Sequence, residues 1–192
     1  MVFSTHPCHT FYGVIFLKAY HHNINWASFV PDAQGREELL SALCGLHSSV
    51  NRRVLGKSLC GRPIDLLQLG AGNDPVLLCG AFHGMEWLTS LLLLRFTAQM
   101  AAALETGALI SDISLGGFLR RRGVVVIPCV NPDGVEISLH GSAAAGEYRE
   151  LVYNASQGDT SQWQANARGV DLNHNFNAGW ESLHALEREQ GI

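Results

Sequence analysis

Two residues able to bind a metal stand three positions apart, His83 and Glu86, in the run HGME. They follow the apolar run PVLLCGAF (75–82), which predicts a buried strand. Because a strand-to-helix turn separates them and Gly84 frees its backbone torsions, both side chains can point at one spot. Imidazole nitrogen and carboxylate oxygen are zinc ligands, so the pair is a candidate metal site. The alternative is a helix-capping Glu beside a packed His.

A second polar cluster lies between Asn166 and Phe176, in the run NARGVDLNHNF, flanked by Trp163 and Trp180. Six polar side chains crowd this short segment, and polar groups at such density are costly to bury unless something binds them. The pattern therefore favours a binding role. The alternative is an Asx-rich turn, in which Asn and Asp bond their own backbone. The run NPDG (131–134) taken alone is a good turn sequence.

Hydrophobic patterning predicts the elements that position these residues. In chain order they are a helix over 39–50, a strand over 64–69, a strand over 75–82, a buried helix over 86–104, a strand over 123–130, a long loop over 138–164 and a terminal helix over 181–190. A strand, a helix and a strand joined by so long a crossover imply parallel strands in an α/β layered domain. Ligands of such sheets bind beyond the carboxyl ends of the strands, where HGME stands.

Four short motifs follow one another in a specific order. They are GKSLCGRPI (56–64), HGME (83–86), NPDG (131–134) and GVDLNHNF (169–176). Together they resemble the carboxypeptidase A-like family of zinc peptidases, and the resemblance covers the chain from about Leu39 onward. It implies a three-layer α/β fold with a mostly parallel mixed sheet flanked by helices. It also implies Zn²⁺ as the cofactor and a peptide as the substrate.

The resemblance gives individual residues a role. His83 and Glu86 would be two of the three zinc ligands. Asp171 would accept the free N–H of His83 and so fix the tautomer of the ring. Arg168 would stabilise the oxyanion. Asn173 and the residue after it would hold the terminal carboxylate of the substrate.

That next residue departs from the family pattern, since this chain has His174 where the family has Arg. Arg grips a carboxylate with a two-pronged fork, whereas His offers one donor whose charge depends on pH. A non-Arg residue here is similar to bacterial peptidases that cut the γ-D-glutamyl–diaminopimelate bond of murein peptides. We therefore predict a metallocarboxypeptidase of that branch. The alternatives are an N-acyl amino acid deacylase of similar fold and an inactive, truncated domain that binds peptide without cutting it.

The family's third zinc ligand, a His, and its general base, a Glu, would both lie beyond the 192 residues. Two later histidines, His140 and His184, are predicted to be solvent-exposed instead. We expect residues 31–192 to be the N-terminal portion of a catalytic domain, incomplete at its C-terminus and inactive alone. Residues 1–30 would be an N-terminal extension. A sheet without its later strands would expose an apolar edge.

Composition excludes several classes of protein. Thirteen Lys and Arg against 17 Asp and Glu give a net charge of −4, so no basic surplus exists to bind nucleic acid. The 47% hydrophobic content excludes intrinsic disorder. Charged residues interrupt every apolar stretch, which argues against a membrane partner. Five cysteines without a CxxC pair predict free thiols in a reducing compartment, so we expect a cytoplasmic protein.

Overall fold

The computed structural model describes Trp26 and residues 31–191, so the predicted extension over 1–30 lies outside the described residues apart from Trp26. The α-helices are α1 (Ala33–Leu46), α2 (Leu88–Thr106), α3 (Leu115–Arg121), α4 (Pro132–His140), α5 (Arg149–Ser156) and α6 (Trp180–Gln190). The strands are β1 (Val50–Lys57), β2 (Pro63–Leu69), β3 (Val76–Cys79), β4 (Leu109–Ile110), β5 (Ile113–Ser114) and β6 (Val124–Ile127). Three 3₁₀ segments occupy Gly84–Glu86, Ser142–Tyr148 and Asn173–Asn175.

Four strands form a mixed sheet in the spatial order β1-β2-β6-β3. Strands β3 and β6 run parallel, as the long crossover between them predicts. Strand β2 pairs antiparallel with both β1 and β6, while β4 and β5 form a separate two-stranded ribbon. The predicted α/β class with a mixed sheet flanked by helices is confirmed. Within the described residues, however, β3–β6 is the one parallel pairing of this sheet.

An apolar core joins the sheet to α1, α2 and α3. It contains Leu43 of α1, Leu67 of β2, Leu94 of α2 and Val126 of β6, all with no exposed surface. Burying one such side chain contributes roughly 1.5–3 kcal/mol. The core therefore fixes β3 and β6 against α2, and with them the turn that leads from β3 into α2.

Helix α2 is buried on one face only, whereas the sequence predicts burial on nearly every side. Leu88 and Leu92 are 61% and 63% exposed, and Leu77 of the edge strand β3 is 58% exposed. Leu77 thus gives the edge strand β3 an exposed apolar side chain, as the sequence predicts for the sheet edge. The helical stretch Gly84–Thr106 is also long and apolar enough to cross a membrane, although 44% of its most apolar 18 residues are buried inside the protein. Core helices meet the same criteria, so this is weak evidence for a membrane span.

The predicted loop over 138–164 is wrong, because this segment is largely helical. It contains the end of α4, the 3₁₀ segment Ser142–Tyr148 and α5. In Ser142–Tyr148 the Gly, Ala and Ser residues hide the helical period, since small side chains give no apolar stripe, and α5 has only eight residues in which to show one. The run NPDG is likewise not a simple turn: Asn131 caps α4 with its side chain and Pro132 occupies the first turn of the helix. Strand β1, largely exposed, was not predicted either.

Four of the predicted free thiols are confirmed: Cys44, Cys60, Cys79 and Cys129. Cys8 lies outside the described residues. Burial raises the pKa of the Cys129 thiol to about 11, and burial also raises the pKa of the other three. A thiol with a raised pKa is less often a thiolate near neutral pH, so these cysteines are weaker nucleophiles than a free cysteine.

Candidate metal centre

His83 and Glu86 converge on one point beyond the carboxyl end of β3. The 3₁₀ segment Gly84–Glu86 carries them, and His83 Nδ1 lies 3.1 Å from Glu86 Oε1. Two donors bound about 2.1 Å from one tetrahedral zinc lie roughly 3.4 Å apart. The observed separation therefore fits two atoms that share one cation. The glutamate side chain is 48% exposed and the histidine side chain 16%, so an ion can reach the pair from solvent.

Asp171 stands on the opposite side of the imidazole ring. Its Oδ1 atom lies 3.4 Å from His83 Nε2, which is in ion-pair range but longer than a good charge-assisted hydrogen bond. Nε2 is buried and has no hydrogen-bond partner in the structure. A carboxylate behind a metal-binding imidazole is the arrangement that fixes the ring tautomer in zinc sites. A small closing movement of Asp171 would satisfy the buried nitrogen.

Backbone hydrogen bonds hold the Asp171 carboxylate in place. Asn173 N–H and His174 N–H donate to its Oδ1 at 2.9 and 3.2 Å. Burial alone would raise the pKa of Asp171, but these hydrogen bonds and the nearby His174 and His83 outweigh it and lower the pKa. The group therefore stays ionised near neutral pH. The 3₁₀ segment Asn173–Asn175 depends on this acceptor for its first turn.

Two carboxylates raise the pKa of His83. Burial by itself pulls the pKa down, but the hydrogen bond with Glu86 and the charge of Asp171 overcome that effect. In the absence of metal the ring thus holds a proton at higher pH than a free histidine. A dication would take the place of this proton, because metal ligation requires the neutral imidazole.

Close backbone contacts hold the HGME turn against α4. A side-chain carbon built on Gly84 would lie 2.2 Å from Gly134 O and 2.7 Å from Trp163 O. The N–H groups of Gly84 and Met85 donate to Gln164 O and Trp163 O. The glycine is thus required for close approach, and the turn is joined directly to the segment that leads to Asp171.

The motif GKSLCGRPI (56–64) supports α4 from the other side and does not contact the metal-binding pair. The buried carboxylate of Asp133 accepts hydrogen bonds from Arg62 Nη1 at 2.7 Å, Ser58 Oγ at 2.7 Å and Cys60 N–H at 3.0 Å. The Arg62 guanidinium also donates to Ala144 O. This cluster fastens the β1–β2 connection to the helix that carries NPDG.

The remaining predicted residues, Arg168, Asn173 and His174, are all exposed. Arg168 is exposed, and its backbone N–H donates to Asn166 Oδ1 within a turn. Asn173 and His174 adjoin the centre through their bonds to Asp171. The His174 ring points to Glu187 of α6, with 3.7 Å between Nδ1 and Oε1. Sequence reasoning missed Glu187, because nothing in the spacing shows that α6 folds back towards His174.

A third metal ligand is not found among the residues that the structure describes. No group of three His, Cys, Asp or Glu side chains suited to a metal occurs in Trp26 and 31–191. His140 Nε2 lies 3.5 Å from Asp32, and His184 Nδ1 lies 2.7 Å from Glu187. Each of these histidines already faces a carboxylate of its own. Within this region the candidate centre therefore consists of the side chains of His83 and Glu86 with the carboxylate of Asp171 beside the ring.

The sequence model of the zinc carboxypeptidase family matches residues 37–190, which is most of the chain. The chain belongs to this family. The family name implies zinc, and an imidazole nitrogen and a carboxylate oxygen 3.1 Å apart, His83 Nδ1 and Glu86 Oε1, are donors that fit that metal. Metallopeptidase chemistry of the carboxypeptidase type is thus the activity of its family.

A curated relative is 32% identical over 133 residues, the gamma-D-glutamyl-L-diamino acid endopeptidase 1 of Lysinibacillus sphaericus. The match covers 68% of this chain and 34% of that protein. Among solved structures, thrombin activatable fibrinolysis inhibitor superimposes with a TM-score of 0.60 at 15% identity, covering 87% of this chain and 41% of the other. Carboxypeptidase A from Helicoverpa armigera gives a TM-score of 0.51 at 20% identity, covering 88% and 40%.

The two structural likenesses show the carboxypeptidase fold and nothing finer. This chain spans about a third to two fifths of the length of the relatives it matches. It therefore corresponds to part of each of those proteins.

Proposed function

We propose that the whole protein is a zinc-dependent peptidase that hydrolyses γ-D-glutamyl–diaminopimelate bonds of murein peptides. The observation that carries the proposal is the convergence of His83 Nδ1 and Glu86 Oε1, 3.1 Å apart, with Asp171 behind the ring. Family membership supports a metallopeptidase, and the 32% identical relative supports the γ-D-glutamyl bond.

In this proposal His83 and Glu86 hold the zinc, which when bound polarises the scissile carbonyl and acidifies the attacking water. Asp171 accepts a hydrogen bond from the Nε2–H group of His83 and thereby keeps Nδ1 unprotonated and free for the metal. Arg168, which is exposed, provides positive charge for the developing oxyanion. Loss of one such donor typically costs on the order of 10²–10³ in rate.

Substrate choice is proposed to depend on Asn173 and His174. Their backbone N–H groups are bound to Asp171, so both residues sit at a fixed distance from the centre. A single imidazole in place of a guanidinium fork weakens the grip on an ordinary C-terminal carboxylate. Glu187 Oε1 lies 3.7 Å from His174 Nδ1 and competes with a substrate carboxylate for that ring.

Hydrolysis is proposed to need residues outside these 192, since the described region offers no group of three ligands. A further His and a general-base Glu would complete the centre, so the chain alone is expected to be inactive. The proposed partners are Zn²⁺ and a peptide, not nucleic acid or membrane. The cytoplasmic location stays a prediction, which subcellular fractionation can test.

The test is hydrolysis of L-Ala-γ-D-Glu-diaminopimelate by the whole protein, compared with peptides that end in Phe or Lys. The proposal expects faster cleavage of the murein peptide, and loss of cleavage in His83→Ala and Glu86→Gln. His140→Ala is the matched control, because that histidine faces Asp32 and not the centre. Equal or faster cleavage of the ordinary peptides would reject the murein assignment. Full activity of His83→Ala would reject the metal centre.

A further inference from the structure

The side chain of Asn131 is buried between the two segments that make up the candidate metal centre. The residue follows β6, precedes α4 and is 2% exposed. Its Nδ2 group donates to Phe82 O at 3.0 Å, Gln164 O at 3.2 Å and Ala165 O at 3.1 Å. Its Oδ1 accepts from Gly134 N–H at 2.9 Å. One amide thus contacts three parts of the backbone.

The orientation of this amide follows from its surroundings. Three carbonyl oxygens face one end of the Asn131 side chain, and one N–H faces the other. Turning the amide over would place its oxygen against three carbonyl oxygens and its NH₂ group against a donor. The donor end therefore points to Phe82, Gln164 and Ala165.

The backbone groups that accept hydrogen bonds from this donor end belong to the two segments that lead into the site residues. Phe82 immediately precedes His83. Gln164 and Ala165 begin the segment that leads to Asp171. The same two segments touch through the N–H of Gly84, which donates to Gln164 O. The amide thus completes a connection between the turn that carries the ligands and the segment that carries the supporting carboxylate.

We propose that Asn131 is a positioning residue of the metal centre, which sets the distance between the His83–Glu86 turn and the Asp171 segment. This inference builds on the proposed zinc site. His83 Nε2 and Asp171 Oδ1 are 3.4 Å apart, already beyond the roughly 3 Å of a charge-assisted hydrogen bond, so a further separation would remove the support altogether. If Asn131 releases either segment, the carboxylate no longer supports the ring.

A merely structural role, capping α4, makes a different prediction. Asn131→Asp keeps an oxygen for the Gly134 N–H and is itself a good helix cap. It removes the NH₂ donors and sets a carboxylate oxygen against the carbonyls of Phe82, Gln164 and Ala165. If Asn131 only caps the helix, this variant should behave like the wild type. If it positions the centre, both segments should loosen.

Asp133→Asn is the matched control. Asp133 lies two residues away, is 1% exposed and makes buried hydrogen bonds to Ser58, Cys60 and Arg62. The change is the same size and also disturbs a buried network. That network does not touch the His83–Glu86 turn, so loss of stability alone should act equally in both variants.

The first measurement is amide hydrogen exchange on the 192-residue chain without metal. Asn131→Asp should speed exchange of the Gly84 and Met85 amides at least tenfold relative to the Gly80 amide, which is bonded to Ile127 O. Asp133→Asn should instead speed exchange of the Cys60 amide. Unchanged exchange at Gly84 and Met85 in Asn131→Asp would overturn the inference, whether or not the chain binds zinc.

The second measurement is zinc affinity by competition with a chromophoric chelator. Residues that support metal ligands typically change affinity by about 10–100-fold when replaced. Asn131→Asp should weaken zinc binding about tenfold or more, and Asp133→Asn should change it by less than about twofold. An equal loss in both variants would overturn the inference. If Asn131→Asp does not fold, Asn131→Ser, which keeps a capping oxygen without the repulsion, takes its place. Zinc affinity is measured on the whole protein, which includes the further ligand, and a wild-type whole protein without any zinc affinity would reject the proposed function. The exchange result on the 192-residue chain would still decide the positioning role.

Discussion

Replacing Gly84 with alanine places a methyl group inside the tightest backbone contact of the candidate centre. An ideal side-chain carbon there lies 2.2 Å from Gly134 O, 2.4 Å from Gly134 C and 2.7 Å from Trp163 O. All three atoms belong to backbone, so no rotamer change relieves the clash. The turn and the first turn of α4 must move apart by about 1 Å, and overpacking of this kind costs about 1–3 kcal/mol.

The movement also stretches two hydrogen bonds, from Gly84 N–H to Gln164 O and from Met85 N–H to Trp163 O. Each contributes about 0.5–1.5 kcal/mol. We therefore expect Gly84→Ala to lower the free energy of unfolding by about 3 kcal/mol. Zinc affinity should fall by about tenfold or more, because His83 moves away from Asp171.

Gly117→Ala in α3 is the matched control. Nothing lies within 4 Å of an added carbon at that position. Alanine favours a helix over glycine by about 0.5–1 kcal/mol, so the control should be neutral or slightly stabilising. Urea denaturation of both variants gives the free energies, and a zinc titration gives the affinities. If Gly84→Ala unfolds at the same urea concentration as Gly117→Ala and binds zinc as tightly, the close approach is not required and the geometry of the centre is misunderstood.

Three further predictions concern charge and thiols. Zinc affinity should fall as pH is lowered through the raised pKa of His83, so the loss of affinity should begin above the ordinary pKa of 6.5. Calorimetric zinc titrations from pH 8 to 5 measure this loss. A loss of affinity whose midpoint lies below pH 6.5 would contradict the assignment of His83 as a ligand. Without metal the sign reverses, because protonated His83 stabilises the fold at low pH and this contribution is lost as pH rises through the raised pKa. Arg62→Ala should destabilise the chain by about 3–5 kcal/mol, since it leaves the buried carboxylate of Asp133 without its cation; a loss below about 1 kcal/mol in urea denaturation would show that the pair is dispensable. Cys129 should react with a maleimide at pH 8 much more slowly than Cys60 does, and equal rates by mass spectrometry would contradict its burial.

Much of the layered architecture could be predicted from the sequence. The runs around Val76–Cys79 and Val124–Ile127 are apolar and are separated by a long helix, which is enough to predict a parallel pair. Strand β1 is different because it lies at the sheet edge, where few side chains are buried and the apolar signal is weak. The helical segments within 138–156 were missed for a related reason: small residues in Ser142–Tyr148 carry no visible period, and α5 is only eight residues long.

The convergence of the candidate ligands could also be predicted, because His83 and Glu86 are close in sequence and the turn between them is short. Contacts that depend on tertiary packing could not. The buried amide of Asn131 contacts Gln164, which is 33 residues away in the chain. The Glu187 carboxylate lies beside His174, which is 13 residues away. The capping signal of Asn131 and Pro132 was present in the sequence, but a cap does not reveal which distant carbonyls the same amide reaches.

A zinc anomalous diffraction map of the protein crystallised with Zn²⁺ tests the central claim most directly. The account predicts one peak about 2.0–2.2 Å from both His83 Nδ1 and a Glu86 carboxylate oxygen, with Asp171 within hydrogen-bond distance of Nε2. A peak on Nε2 of His83, a peak remote from both side chains, or an Asp171 carboxylate turned away from the ring would contradict it.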